Sequence, residues 1–353
     1  MRPELFLVVR LLLFSFIAFS VAFLATPVLT HFLYKYKFWK TKTRDLGPDG
    51  RPTPIFSELH KHKEVGTPRM GGLLVWIVVT AVTFLSVLVA AMRGDSDWGI
   101  LSRGETWLPL FTLVSAGIIG AVDDLLVIRG KGRYIGGGLS FKMRIFLVLA
   151  IGSVGAWWFV SKLGFSTLFV PGLGNLDIGW LYAPLFIVVL LATFSSGVVD
   201  GLDGLSGGVF STIFATYAAI AYVRGQYDLA TFCAVLLGAL FAYLWFNIPP
   251  ARFYMGETGI LALTTTLTVV AFLTNAVLIL PVAGIILVAE SGSVSIQLLS
   301  KKFRRGKKVF LSAPLHHHFE AKGWPSYKVT MRFWVISAIF GALGLLLFLA
   351  GPR

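Results

Sequence analysis

The chain is short of charge. Only 14% of its 353 residues are Asp, Glu, Lys or Arg, against about 25% in a soluble globular domain. Acid is scarcer than base: 17 carboxylates face 31 Lys and Arg, a formal net charge of +14. Cysteine is nearly absent. The one thiol, Cys233, lies inside an apolar run, which excludes an intramolecular disulfide and offers no thiolate metal site. No repeat of fixed period and no low-complexity linker divides the chain, so a single domain over residues 1–353 is expected. The first apolar run, Leu5 to Thr30, exceeds the ~7–15 residues of a signal-peptide core and is expected to be a retained span.

Hydrophobic residues fill the space that charge leaves, at 56% of the sequence. They fall in runs near the ~20 residues that cross a bilayer. Ten spans are predicted, at 5–33, 71–92, 107–128, 145–161, 178–198, 207–223, 229–246, 258–276, 278–299 and 331–350. Lipid satisfies no free backbone group, so the expected fold class is an all-α integral membrane protein. Nine Lys/Arg lie in 35–69, five in 129–144, one (Arg252) after the seventh span and nine in 301–332. That places 24 of the 31 on one side. The positive-inside rule makes this side cytoplasmic and puts both termini outside. The basic excess suits anionic lipid and phosphate-bearing substrates; no nucleic-acid partner is expected.

The few acids are not scattered. Asp123 and Asp124, Asp200 and Asp203, and Glu257 come from three separate connections and map to the basic face, with Glu290 deeper in the ninth span. An acid at a span end is costly enough to need a reason. Asp200-Gly201-Leu202-Asp203-Gly204-Leu205 reads as a tight turn in which backbone can approach a ligand. Adjacent Asp123 and Asp124 diverge by ~100° on a helix and are expected to meet different partners. Carboxylates beside clustered cations make a phosphate site, where Mg²⁺ takes one or two carboxylates plus substrate phosphates. Phosphoryl transfer is mostly positioning and charge neutralisation.

Three further stretches carry polar groups towards that face. In Asn247 to Gly259 the prolines prevent a continuous helix, Glu257 is a candidate metal ligand, Phe253 or Tyr254 could stack on a base, and Asn247 offers both a donor and an acceptor. His316, His317 and His318 cannot all ligate one metal from a helix face and read as donors to phosphate or sugar, with Pro314 holding their segment off a regular helix. Lys61 and Lys63 beside Gly66 to Gly72 could cradle phosphate, although this is no P-loop. Interfacial anchoring alone accounts for Lys35 to Lys40.

Taken in order, Gly66-Thr67-Pro68-Arg69-Met70-Gly71-Gly72, Asp123-Asp124, Asp200 to Leu205, Met255-Gly256-Glu257-Thr258-Gly259 and Pro314-Leu315-His316-His317-His318-Phe319-Glu320 resemble the polyprenyl-phosphate N-acetylhexosamine-1-phosphate transferases. Within them the chain looks like the phospho-N-acetylmuramoyl-pentapeptide transferases, and the triple histidine is the most specific mark. The resemblance covers nearly the whole chain. It implies a homodimeric, ten-span enzyme of the bacterial inner membrane with a cytoplasmic Mg²⁺ site, taking UDP-MurNAc-pentapeptide and undecaprenyl phosphate to lipid I and UMP. It implies Asp123, Asp124 and Asp200 as catalytic acids and Glu257 with Asp200 at the metal. Lys63, Asp203, Asn247, Tyr254, Gln297, His316, His317 and His318 would then touch substrate. The sequence departs from the family's usual Asp at 257, Phe at 254, Asn-Leu-Thr at 197–199, Arg-x-Lys at 142–144 and Lys at 64. The rival readings are a sister transferase using UDP-N-acetylglucosamine and an anion transporter.

Overall fold

Apolar runs too long for a strand become helices here, each closing its backbone hydrogen bonds on itself. The computed structural model describes residues 3–40, 66–131 and 137–352. The first eight runs form α1 (Pro3–Lys35), α2 (Gly72–Arg93), α3 (Trp107–Ile128), α4 (Phe141–Trp157), α5 (Tyr182–Ser195), α6 (Leu205–Val223), α7 (Tyr227–Asn247) and α8 (Gly256–Leu273). The ninth run is not the straight span expected over 278–299. It breaks at Gly284 into α9 (Leu280–Ala283) and α10 (Ile285–Phe303), with a bend of 80°. The cause is polarity: α10 buries Glu290, Ser293, Gln297 and Ser300 on one side, and such groups must turn into protein rather than lipid. A seven-residue α11 (Leu315–Ala321) and a long α12 (Ser326–Ala350) complete the chain. Nine described helices are long and apolar enough to cross a bilayer, and the bent pair would make ten.

One element was not foreseen. Between α4 and α5 a four-residue strand, β1 (Thr167–Val170), pairs antiparallel with β2 (Gly174–Asp177). The hairpin is tied down by Asn275, whose Oδ1 accepts from Phe169 N at 2.9 Å and whose Nδ2 donates to Asn175 at 3.0 Å.

Burial ranks the helices. Of the apolar stretch of α8, 94% is buried, against 22% for α1 and 28% for α12, so α8 is the axis and the terminal helices face lipid. Large side chains such as Leu12, Phe16 and Leu24 on α1 and Ile339 and Leu346 on α12 stay uncovered by protein, which costs nothing where hydrocarbon is the solvent. The central helix is rich in buried threonine. Thr264 and Thr265 donate back to Ile260 O and Leu261 O, and Thr268 bonds Thr193 of α5 at 2.6 Å. Close crossings use small residues, as bilayer interfaces do: at Gly120 of α3 a Cβ would stand 2.2 Å from Glu257 O. That contact seats the end of α3, and with it Asp123 and Asp124, against the start of α8.

Candidate active site

The site grows from two loops that exchange backbone bonds. Tyr254 N donates to Pro68 O at 2.8 Å, Gly71 N to Tyr254 O at 2.8 Å and Gly72 N to Met255 O at 2.9 Å. This lays the 66–72 run along the chain entering α8 and brings Arg69 Nε to Asp124 Oδ1 at 3.3 Å. Gly256 sits between two acids. Its N–H donates to Asp200 Oδ2 at 3.1 Å, and a Cβ there would lie 2.4 Å from Asp124 Oδ2. Its φ of +71° is left-handed backbone, so glycine alone meets both demands.

Around that point four carboxylates and two guanidinium groups interlock. Arg144 of α4 donates from one nitrogen to Asp123 Oδ2 and from another to Glu257 Oε1, both at 2.8 Å. Asp123 Oδ1 also accepts from Leu139 N at 2.6 Å, and Asp124 Oδ2 from Thr258 N at 3.0 Å. Asp123 and Asp124 have no exposed surface and turn to different partners, as their ~100° divergence on α3 requires. Glu257 keeps 26% of its side chain exposed. Asp200 lies in the turn between α5 and α6, where burial pushes its carboxyl up to about 6 against the pull of Ser206 and Arg69.

A divalent cation fits the chemistry of these donors, which are hard carboxylate oxygens. Among the described residues no three potential ligands stand close enough to cage one. Mg²⁺ would therefore rest on one or two of these carboxylates, Asp200 and Glu257 being the two that are not fully buried, with substrate oxygens completing its shell.

The turn carrying Asp200 is braced on every side. Ser206 Oγ donates to Asp200 Oδ1 at 2.8 Å, Trp334 Nε1 to Gly204 O at 3.0 Å and Thr330 Oγ1 to Asp203 O at 3.1 Å. Asp203 Oδ2 accepts from Ala251 N at 3.2 Å. Asn247, expected to meet substrate, is buried with both amide ends engaged: Oδ1 accepts from Gly204 N and Nδ2 donates to Phe253 O. Gln297 is engaged likewise, accepting from Val309 N and Phe310 N and donating to Phe310 O. In this structure both are braces. Of the two rings considered for stacking, Phe253 is wholly buried and Tyr254 is half-buried at the surface of the site. Lys63 lies outside the described residues.

The histidine segment corrects an expectation. Pro314 starts a helix there, as proline does when its missing N–H falls among the unpaired first-turn groups. The rings of His316 and His317 lie edge to face with centroids 4.1 Å apart, yet each of the three has its own partner. His316 Nδ1 meets Glu290 Oε2 at 2.6 Å and His317 Nδ1 meets Glu320 Oε2 at 2.8 Å. His318 Nδ1 accepts from Leu311 N at 3.1 Å.

Sequence reasoning missed Arg69 and Arg144 as partners of the acids, and Glu290 and Glu320 as partners of the histidines. The available signal was buried charge itself: every acid held away from water requires a cation or donors.

A cavity of about 600 Å³ lies at the opposite end of the bundle, lined by Arg10, Asp95, Glu105 and Asp228 among others. It shares no residue with the acid cluster.

Residues 106–275 match the family described as glycosyl transferase family 4, a stretch holding all four clustered carboxylates but neither Arg69 nor the histidines. Over 337 residues the chain is 35% identical to a phospho-N-acetylmuramoyl-pentapeptide-transferase of Geobacillus thermodenitrificans (strain NG80-2), covering 93% of this chain and 96% of that one. It is 37% identical over 310 residues to one of Methylacidiphilum infernorum (isolate V4), covering 81% and 80%. It is 34% identical over 307 residues to one of Pelagibacter ubique (strain HTCC1062), covering 81% of each.

Proposed function

The chain belongs to the family of phospho-N-acetylmuramoyl-pentapeptide transferases, and from that premise we propose that it moves phospho-MurNAc-pentapeptide from UDP-MurNAc-pentapeptide to undecaprenyl phosphate. The products are lipid I and UMP, in the first membrane step of peptidoglycan synthesis. One observation carries the reading to this chain's own residues: Asp123, Asp124, Asp200 and Glu257, from three separate connections, converge with Arg69 and Arg144 at one end of a multi-pass membrane bundle.

In the reaction an oxygen of the lipid phosphate attacks the sugar-side phosphorus, the bond to the UMP oxygen breaks, and UMP leaves with its electron pair. Asp200 and Glu257 would hold Mg²⁺, which when bound screens the charge of the diphosphate. Arg144 keeps Asp123 and Glu257 at a set separation, and Arg69 does the same for Asp124 beside Asp200. These fixed charges need no rearrangement as charge shifts from the attacking to the leaving oxygen. Tyr254, half-buried beside them, is assigned to the uracil ring. By the positive-inside rule this end would face the cytoplasm of an inner-membrane protein, and a homodimer is the expected assembly.

A broken helix with a buried acid is also what a transporter would use. Here the Glu290 carboxylate is committed to His316, so it leaves no ion site at the bend. The deciding assay uses purified protein, both substrates and Mg²⁺, and reads UMP release. Turnover of the muramyl donor in preference to UDP-N-acetylglucosamine is expected; equal or better use of the latter overturns the assignment to this branch.

A further inference from the structure

Glu290 is a buried carboxylate near this end of the bundle that the proposed reaction does not use. It has no exposed surface, and neither has His316. Its two oxygens hold a single residue at two points. Oε1 accepts from the His316 backbone N–H at 3.1 Å, and Oε2 faces His316 Nδ1 at 2.6 Å. A carboxylate that bridges a backbone N–H and a ring nitrogen fixes ring rotation as well as tautomer, because the proton between them belongs on Nδ1. Nε2 is then the only ring nitrogen left to act. Among the described residues it is a buried polar atom with no hydrogen-bond partner. It is aimed at the turn that carries Asp200: a Cβ built on Gly201 would stand 2.1 Å from it. Any side chain at 201 would occupy the space this nitrogen faces. A buried polar atom without a partner is costly to keep unless something uses it.

We propose that Glu290 is a positioning residue for phosphoryl transfer: it holds His316 in the Nδ1–H form and points Nε2 across Gly201, where Nε2, unprotonated in that form, accepts a hydrogen bond from the P–OH of the lipid phosphate. This rests on the function proposed above. Glu290 touches no substrate and acts only through His316. The bend at Gly284 supplies the approach, since it turns α10 so that Glu290 faces α11 from inside the protein.

The test is a double-mutant cycle with a spectroscopic arm. Glu290→Gln has the same shape but only one acceptor, so it cannot accept from both His316 nitrogens. Its amide instead donates to Nδ1 and moves the ring proton to Nε2. Purified enzyme labelled with ¹⁵N-histidine should show the Nδ1–H form at His316 in the wild type and the Nε2–H form in Glu290→Gln, with the signal assigned by its loss in His316→Ala. With saturating substrates, Glu290→Gln should lower kcat by ~10–100-fold, the usual cost of losing a carboxylate behind a functional imidazole, with KM changed less. In the His316→Ala background the same substitution should have little further effect, which a general loss of stability would not reproduce. An Nε2–H wild-type ring, or equal losses in the two backgrounds, overturns the proposal. A wild-type enzyme that shows the Nδ1–H ring but releases no UMP overturns the proposed function instead, and leaves Glu290 orienting His316 for another reaction.

Discussion

Arg144 bonds two carboxylates with two different nitrogens, so it should resist replacement by another cation. Lysine carries one compact charge and no planar fork. Arg144→Lys is expected to lower turnover by about 10-fold or more while largely keeping stability. Arg144→Ala should also lower the unfolding temperature, because Asp123 is then buried without its cation, a change worth about 3–5 kcal/mol for buried pairs. Turnover and thermal unfolding measured on the same preparations separate the two effects. Asp123→Asn, Asp200→Asn and Glu257→Gln should each lower turnover by at least ~10²-fold, the scale of losing a charge stabiliser in the transition state. Glu257→Gln with normal turnover and normal Mg²⁺ dependence removes Glu257 from the proposed metal site. His318 gives a pH prediction. Burial, and then Lys322, hold its imidazole below its ordinary value, in keeping with Nδ1 accepting the Leu311 N–H. Between that lowered value and the ordinary ~6.5 the unfolded chain binds more protons than the folded one. Stability therefore rises with pH across the window and falls as pH drops below ~6.5. Histidine NMR should show His318 titrating at lower pH than a solvent-exposed histidine, and a higher value would contradict the Leu311 bond.

At the scale of elements, the site depends on how closely α3 approaches the first turn of α8. Gly120 stands one turn before Asp123, and the space where its Cβ would be is filled by the Glu257 carbonyl. Gly120→Val should force the two helices apart at a cost of about 1–3 kcal/mol, typical of overpacking. It should also lower turnover although it touches no substrate, because Asp123 and Glu257 would no longer share Arg144. Thermal unfolding and UMP release decide it: an unchanged melting temperature would mean that the crossing tolerates a branched side chain. The bend between α9 and α10 has a separate logic. A straight helix over 278–299 would have carried Glu290 and Gln297 across the bilayer. Bent, it places Glu290 on α11 and Gln297 on the 309–310 backbone.

The whole molecule separates its charges by end. The acid cluster, the histidine helix and the polybasic stretch from Lys301 to Lys308 share one end, and the 600 Å³ cavity with Arg10 and Asp228 lies at the other. The positive-inside rule predicts that the first end is cytoplasmic. The sole native thiol, Cys233, is fully buried, so single cysteines introduced at the surface can be read against a silent background. An impermeant reagent on intact cells should label a cysteine in the 93–106 loop and leave one near Lys307 untouched. Labelling near Lys307 would reverse the orientation.

Composition and local pattern alone determined the class of the molecule, the positions of nine of its spans, the asymmetry of its basic loops and the face on which Asp123, Asp124, Asp200, Asp203 and Glu257 meet. Those features follow from hydropathy and charge within a span or a loop, which any stretch of sequence carries by itself. Tertiary structure decided which group answers which. Arg144 is 113 residues from Glu257 and Glu290 is 26 from His316, and nothing in a linear order states that such groups touch. It also decided that Asn247 and Gln297 direct their amides inward, that His316 to His318 are helical and that the ninth run breaks. Each outcome depends on where a buried polar group finds its partner, and in a low-dielectric interior that demand outweighs local preference.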